Sequence, residues 1–279
     1  MSIQNDQLAK LVEHVLASSK YREVSDDLIR EIGWHELARG AGFKEAVKAV
    51  KSKLHQVGGA YLAERRAYAT WLSDLEPLTG CDNRDKLLTS LKMIMHYHTS
   101  TRERLPILEQ FYKTILADLP PIHSILDLAC GLNPLTLPWI PFTEPVEYYA
   151  YDIYKDMIHF LNQFLALMHV QGQAQVCDVI QAYPTRQVDL ALILKAIPCL
   201  EQVDRAVTPR LLQTINATYI VVSFPVHSLG GKAKGMEAHY AARFRALVAD
   251  TAWSIKQFEF ATELAFLLTK QANVSALGG

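Results

Sequence analysis

At Ile122 the hydrophobic rhythm of the chain changes, and that change constrains the fold more than any other feature. Upstream, apolar residues recur at helical spacing: Leu8, Leu11, Val12, Val15 and Leu16, then Phe43, Val47, Val50 and Leu54. The same spacing carries Tyr61, Arg65, Tyr68 and Leu72, then Leu87, Leu88, Leu91 and Met95, then Leu105, Leu108, Phe111 and Ile115. Gly58 and Gly59 interrupt the pattern, and Ser25 ahead of Asp26 and Asp27 is placed as an N-cap with acids in the first turn. Downstream, short apolar runs alternate with turn residues. Strands are expected at Ser124–Leu128, Val146–Tyr151, Gln175–Cys177, Val188–Leu194, Tyr219–Ser223, Ser254–Phe260 and Glu263–Thr269. Helices between them include Met157–Met168 and Arg205–Ile215. Alternating strand and helix predicts a parallel sheet covered on both faces, and the last two runs predict an antiparallel hairpin. The chain thus divides into a helical region, residues 1–117, and an α/β region, residues 118–279.

Composition bounds the function less tightly. Half of the residues are apolar and 20% are charged, a globular profile. No apolar run approaches the roughly 20 residues of a membrane span, and the chain does not open on a basic segment followed by an apolar core. A cytoplasmic protein with no membrane partner is expected. Cys81, Cys130, Cys177 and Cys199 are scattered with no CxxC pair, so neither a metal site nor a disulfide framework is expected. The net charge of −1 excludes no partner, because basic density is local. Lys44, Lys48, Lys51, Lys53, Arg65 and Arg66 stand against Glu45 and Glu64, and Lys232, Lys234, Arg243 and Arg245 against Glu237. Lys44, Lys48 and Lys51 form a stripe beside the apolar one, either a docking face for nucleic acid or the solvated side of a helix.

The sharpest motif is Ile125-Leu126-Asp127-Leu128-Ala129-Cys130-Gly131-Leu132-Asn133-Pro134. An apolar strand ends in a small-residue turn, where backbone amides approach a ligand closely. It has one glycine where a dinucleotide site uses three, so an adenosyl ligand without phosphates fits better than a nicotinamide dinucleotide. Asp152 follows Gly131 by 21 residues at the end of the next strand, where a carboxylate accepts from ribose hydroxyls. Asp178 follows the third strand, where it can accept from an adenine amino group. Each acid alone also reads as a helix N-cap; three acids after three successive strands favour the cofactor. Lys195 closes the fourth strand at the mouth of the same crevice, or simply extends to solvent there. Seven strands, a terminal hairpin and these acids describe the class I S-adenosylmethionine-dependent methyltransferase sheet, Rossmann-like, with a helical N-terminal domain.

Longer runs carry a more specific likeness. His98-Thr99-Ser100-Thr101-Arg102-Glu103-Arg104-Leu105, the stretch Leu126–Pro134, and Ser223-Phe224-Pro225 with Ser228–Lys232 and Lys234–Glu237 resemble the Arm/Rmt group of 16S rRNA guanine-N7 methyltransferases. Ala17-Ser18, Lys20-Tyr21-Arg22, Leu54-His55, Gly59-Ala60-Tyr61 and Tyr240 extend the resemblance over nearly the whole chain. It implies methylation of decoding-site guanine 1405 in the 30S subunit, with resistance to aminoglycosides of the 4,6-disubstituted deoxystreptamine class. It implies S-adenosylmethionine contacts at Tyr61, His98, Thr99, Ser100, Arg104, Ala129, Gly131, Asp152, Asp178, Val179 and Leu194, with Arg104 pairing the methionyl carboxylate. For the 16S rRNA the expected contacts are Lys44, Lys48, Lys51, Arg65, Arg66, Lys195, Ser223, Phe224, His227, Lys232 and Lys234. Here the chain departs from the group: His227 stands where an arginine is usual, and a neutral imidazole makes a weaker phosphate contact. Guanine N7 carries no proton, so no general base is expected and none is assigned. The alternatives are a methyltransferase acting on a different rRNA base or a small molecule, and a ribosome-binding module without activity. The basic helical region weighs against a small-molecule acceptor, and the retained acids against an inactive module.

Overall fold

The computed structural model describes residues 2–59, 67–80, 83–142, 144–226 and 236–270. The helical half contains α1 (Ser2–Leu16), α2 (Asp26–Ala38), α3 (Phe43–Leu54), α4 (Tyr68–Leu75), α5 (Arg84–Met95), α6 (Thr99–Arg104) and α7 (Leu108–Leu116). Helix α3 gives way to a π turn, His55–Gly59, which contains the glycine pair that interrupts the pattern in the sequence. Pro106 accounts for a second irregularity, since Leu105–Ile107 forms a 3-10 turn that offsets α6 from α7. Ser25 occupies the N-cap position of α2 without a side-chain capping bond. Its backbone amide instead donates to the Ile153 carbonyl at 2.7 Å, and the residue is buried.

The sheet comprises β1 (Ser124–Leu128), β2 (Glu147–Asp152), β3 (Gln171–Val176), β4 (Val188–Leu194), β5 (Ala217–Pro225), β6 (Ser254–Glu259) and β7 (Glu263–Thr269). Their order is β3-β2-β1-β4-β5-β7-β6, parallel throughout except for β7, which runs antiparallel to β5 and β6. Helices α8 (Lys155–Leu167), α9 (Ile197–Val203), α10 (Val207–Thr214) and α11 (Met236–Val248) lie downstream. Side chains alternate between two cores with the strand period of two. Ile125, Leu190, Leu192, Leu194, Ala265 and Leu267 join one core with the helical half and α8. Leu126, Leu128, Ala191, Ile193, Leu264, Phe266 and Leu268 join the other, with α10 and α11. Strand β3 begins four residues before the expected Gln175 and ends before Cys177. It lies at the sheet edge with only Ala174 buried, so it lacks the apolar run by which a central strand is recognised.

The order reverses between β1 and β4: β2 and β3 extend to one side, β5 to the other. That switch point opens a crevice at the carboxyl ends of β1 and β4. After β1 the chain forms a 3-10 segment, Asn133–Trp139, in place of an α-helix, with Pro134 and Pro138 inside it.

Candidate cofactor crevice and target-facing surface

A crevice lies over the switch point, at the carboxyl ends of the central strands. His98, Ser100, Ala129, Asp152, Asp178, Val179, Leu194 and Lys195 line it, all named by the sequence. Leu28, Val57 and Gly58 add a wall from the helical half. Gly58 is there because of a close approach: a Cβ at that position would stand 2.4 Å from the Tyr154 hydroxyl.

The turn after β1 is shaped by two left-handed residues, Ala129 (φ 50°) and Gly131 (φ 52°), and Lys195 (φ 58°) repeats the conformation after β4. Non-glycine residues in this region cost of order 1 kcal/mol or more and cluster at ligand sites. At Gly131 a side chain is excluded twice over, by φ and by the His98 ring, 2.6 Å from where a Cβ would sit. Asp152 holds this turn: its Oδ2 accepts from the Gly131 amide at 2.9 Å, and its Oδ1 from the Ile153 amide at 2.7 Å. Asp178 accepts from the Ile180 amide at 3.0 Å and from the Gln181 amide side chain at 3.1 Å. Both carboxyls are nearly sealed, and burial raises their pKa. Burial, reinforced by Lys195, Arg104 and Arg102, drives the His98 imidazole down to about 3 and keeps it neutral. Thr99 follows His98 as the first residue of α6.

Arg104 lies in the protein interior, only 1% exposed. Its Nε and Nη2 donate to the Glu263 carboxylate at 2.7–3.3 Å, and its Nη1 donates to Asn133 Oδ1 at 2.8 Å. Lys195 reaches the same acid at 3.5 Å and Glu103 at 3.0 Å. Burial works to raise the Glu263 carboxyl, but Arg104 and Lys195 outweigh it and hold it below the usual carboxylate range. The sequence reading passed over Glu263. The available signal was an acid opening an otherwise apolar strand next to β5, where a charge requires a partner. Asn133, Tyr112 and Tyr148, which complete the polar floor around Asp127, were likewise given no role.

Three residues expected at RNA are interior ones. Lys195 is 5% exposed and ion-paired, and the Ser223 hydroxyl is buried against Glu263. The Phe224 ring stacks on Tyr240 at 4.9 Å and meets Phe244 and Phe266 edge-on, leaving it 3% exposed. Ser223 and Phe224 lie on the central strand β5, and Lys195 follows β4 directly. Lys44 and Lys48 are exposed on α3, and Lys51 is half-buried beside them. Tyr61, Arg65, Arg66, His227, Lys232 and Lys234 lie outside the described residues. Among the described residues no acid, histidine and cysteine cluster could hold a metal, and no helix is long and apolar enough to cross a membrane.

Comparison with known proteins agrees with this geometry. A protein of Frankia casuarinae named 16S rRNA (guanine(1405)-N(7))-methyltransferase is 34% identical, over 96% of this chain and 95% of that protein. One of the same name from Serratia marcescens is also 34% identical, over 92% and 96%. The crystal structure of the 16S rRNA methyltransferase RmtF in complex with S-adenosyl-L-homocysteine superimposes with a TM-score of 0.79 at 28% identity, covering 95% of this chain and 98% of that one. The 16S rRNA methylase RmtB gives 0.77 at the same identity and coverage. The sheet is therefore the class I methyltransferase sheet anticipated from the strand pattern. The signature of the family described as ribosomal RNA methyltransferase (FmrO) matches residues 17–267, and the chain belongs to that family.

Proposed function

We propose that the chain is a 16S rRNA (guanine(1405)-N(7))-methyltransferase that uses S-adenosylmethionine. The observation that carries this is the crevice with Asp152 and Asp178 after successive strands, in a chain whose relatives bear that name over most of their length. Asp152 takes the ribose hydroxyls and Asp178 the adenine amino group, each with lone pairs left beyond its bonds to the protein. Val179 and Leu194 pack the base, while His98 and Ser100 border the crevice; Thr99 and Tyr61 are further cofactor contacts in this reading. Arg104, anchored by Glu263 and Asn133, still has one N–H on each terminal nitrogen for the methionyl carboxylate.

The cofactor supplies a methyl group on a sulfonium. The guanine N7 lone pair forms the new bond to carbon as the carbon–sulfur bond breaks, and the bonding pair leaves on sulfur. No proton moves, so the protein's task is alignment. The sealed acids and the neutral His98 imidazole suit a site without a general base. In A-form RNA the N7 edge faces a deep, narrow groove, so the guanine must be turned out, at a cost of a few kcal/mol. The helical region, residues 1–117, docks on the 30S subunit through Lys44, Lys48 and Lys51, with Arg65 and Arg66. Residues 118–279 carry the chemistry, and Lys232, Lys234 and His227 hold the RNA backbone near β5. The outcome is resistance to 4,6-disubstituted deoxystreptamine aminoglycosides.

The test is methyl transfer from labelled cofactor to purified 30S subunits, with the modified base mapped by primer extension after N7-specific cleavage. Label at guanine 1405 is the expected result. Label at another base rejects the target, and absence of transfer despite cofactor binding rejects the activity.

A further inference from the structure

Beneath the crevice lies a sealed polar cluster that the acids at the strand ends do not explain. Asn133, 2% exposed, is the first residue after the Gly131-Leu132 turn. Its carboxamide faces two opposite charges. The Nδ2 donates to Asp127 Oδ2 at 2.9 Å and lies 3.4 Å from the Tyr148 hydroxyl. The Oδ1 accepts from Arg104 Nη1 at 2.8 Å and from the Tyr112 hydroxyl at 2.7 Å. Tyr148 donates in turn to the same Asp127 oxygen at 2.6 Å, so Asp127 is held from two sides. The amide orientation is fixed by its neighbours, since an ionised carboxylate can only accept and a guanidinium can only donate. A carboxamide offers a donor to an anion and an acceptor to a cation on two separate atoms, and so spans the gap between them. An acid at 133 would confront Asp127, and an apolar residue would leave both charges short of a partner.

We propose that Asn133 is a positioning residue for the methionyl end of the cofactor: its carboxamide bridges Asp127 to Arg104 and so aims the guanidinium. This rests on the assignment of Arg104 to the methionyl carboxylate. Glu263 fixes one side of the guanidinium and Asn133 another, at Nη1. Without Asn133 the group keeps its charge and its principal ion pair but is free to pivot about Glu263. The defect therefore falls on the amino-acid tail of the cofactor and spares the nucleoside.

The experiment compares the affinities of two ligands, S-adenosylhomocysteine and 5′-methylthioadenosine, which lacks the carboxylate. Asn133→Leu should weaken the first by about tenfold to thirtyfold and the second by less than threefold, a split that general damage to the turn would not produce. In methyl transfer the same variant should raise the KM for S-adenosylmethionine by a similar factor, with kcat within about threefold. Should Asn133→Leu fail to fold, the isosteric Asn133→Asp carries the test. Its carboxyl shares a site with Asp127, Tyr148, Tyr112 and Arg104, and it restores the bridge only when one proton lies between the two acids. Its selective loss of S-adenosylhomocysteine affinity should grow from pH 6 to pH 8.5. Equal weakening of both ligands by either variant overturns the proposal. Arg104→Lys separates the two layers of the argument. If it leaves the ratio of the two affinities unchanged, the assignment of Arg104 is wrong. If it alters the ratio and the Asn133 variants do not, only the role of Asn133 is.

Discussion

The floor of the crevice and the outer face of α3 both concentrate charge, yet physically they are opposites. In the floor, Arg104, Glu263 and Lys195 are almost wholly withdrawn from water and share bonds. On α3, Lys44 and Lys48 stand in solvent, on a stripe beside the one that buries Val47 and Val50. Buried charges are interdependent, because removing one leaves its partner uncompensated in a medium that solvates it poorly. Exposed charges act one by one, and their worth is set by ionic strength. The first arrangement fixes geometry; the second responds to the salt around it.

The largest effect that would break this contrast comes from Glu263→Gln. Arg104 and Lys195 would then face a neutral amide, and a loss of about 3–5 kcal/mol of stability is expected, measured by urea unfolding. A loss under about 1 kcal/mol would mean that the floor behaves like a surface. Next comes the pH dependence contributed by His98. Its folded pKa is lowered to about 3 from 6.5, so below pH 6.5 the unfolded chain takes a proton that the folded one refuses. The neutral form's contribution is present above pH 6.5 and drains away as the pH falls toward 3. Asp127 opposes this: burial pushes its carboxyl up to about 6, so its proton favours the folded state as the pH drops from 6 toward 3.8. Comparison with His98→Gln cancels the Asp127 contribution. Between pH 7 and pH 5 wild type should lose about 2 kcal/mol more than the variant, at about 1.4 kcal/mol per pKa unit; parallel curves would mean that the imidazole is solvated. The smallest stability change belongs to the triple variant Lys44→Ala, Lys48→Ala, Lys51→Ala, within about 0.5 kcal/mol of wild type. Its consequence should appear instead in 30S affinity, whose logarithm should fall less steeply with log salt concentration. An unchanged salt slope would remove α3 from the docking face.

The central strands were legible because burial on both faces demands an unbroken apolar run, as in Val188–Leu194. Asp152 and Asp178 were legible because their strand-end spacing expresses the topology of the sheet. What escaped has equally physical causes. The edge strand β3 buries only Ala174 and so keeps no pattern. The Arg104–Glu263 pair joins residues 159 positions apart, a separation no local window registers. Ser223 and Phe224 were expected at RNA from their motif. Motifs record which residues matter, not which way they face: the two point to opposite faces of β5, and both faces are covered. The π turn gave only its two glycines as a signal, which marked the interruption but not its geometry.

Leu28, Val57 and Gly58 put the helical half into the wall of the crevice. The backbone stitches it there as well: the Lys155 amide donates to the Glu23 carbonyl, and the Ser25 amide to Ile153. In engineering terms, the site for the small ligand does not travel with the sheet alone. A chimera that grafts another targeting module onto residues 118–279 would discard part of the pocket with the module it replaces. To keep the pocket whole, such a graft would have to retain α2, the turn at His55–Gly59 and the stretch from His98 through α6. Changes confined to the exposed side of α3 leave that wall in place, and an exchange of parts does not.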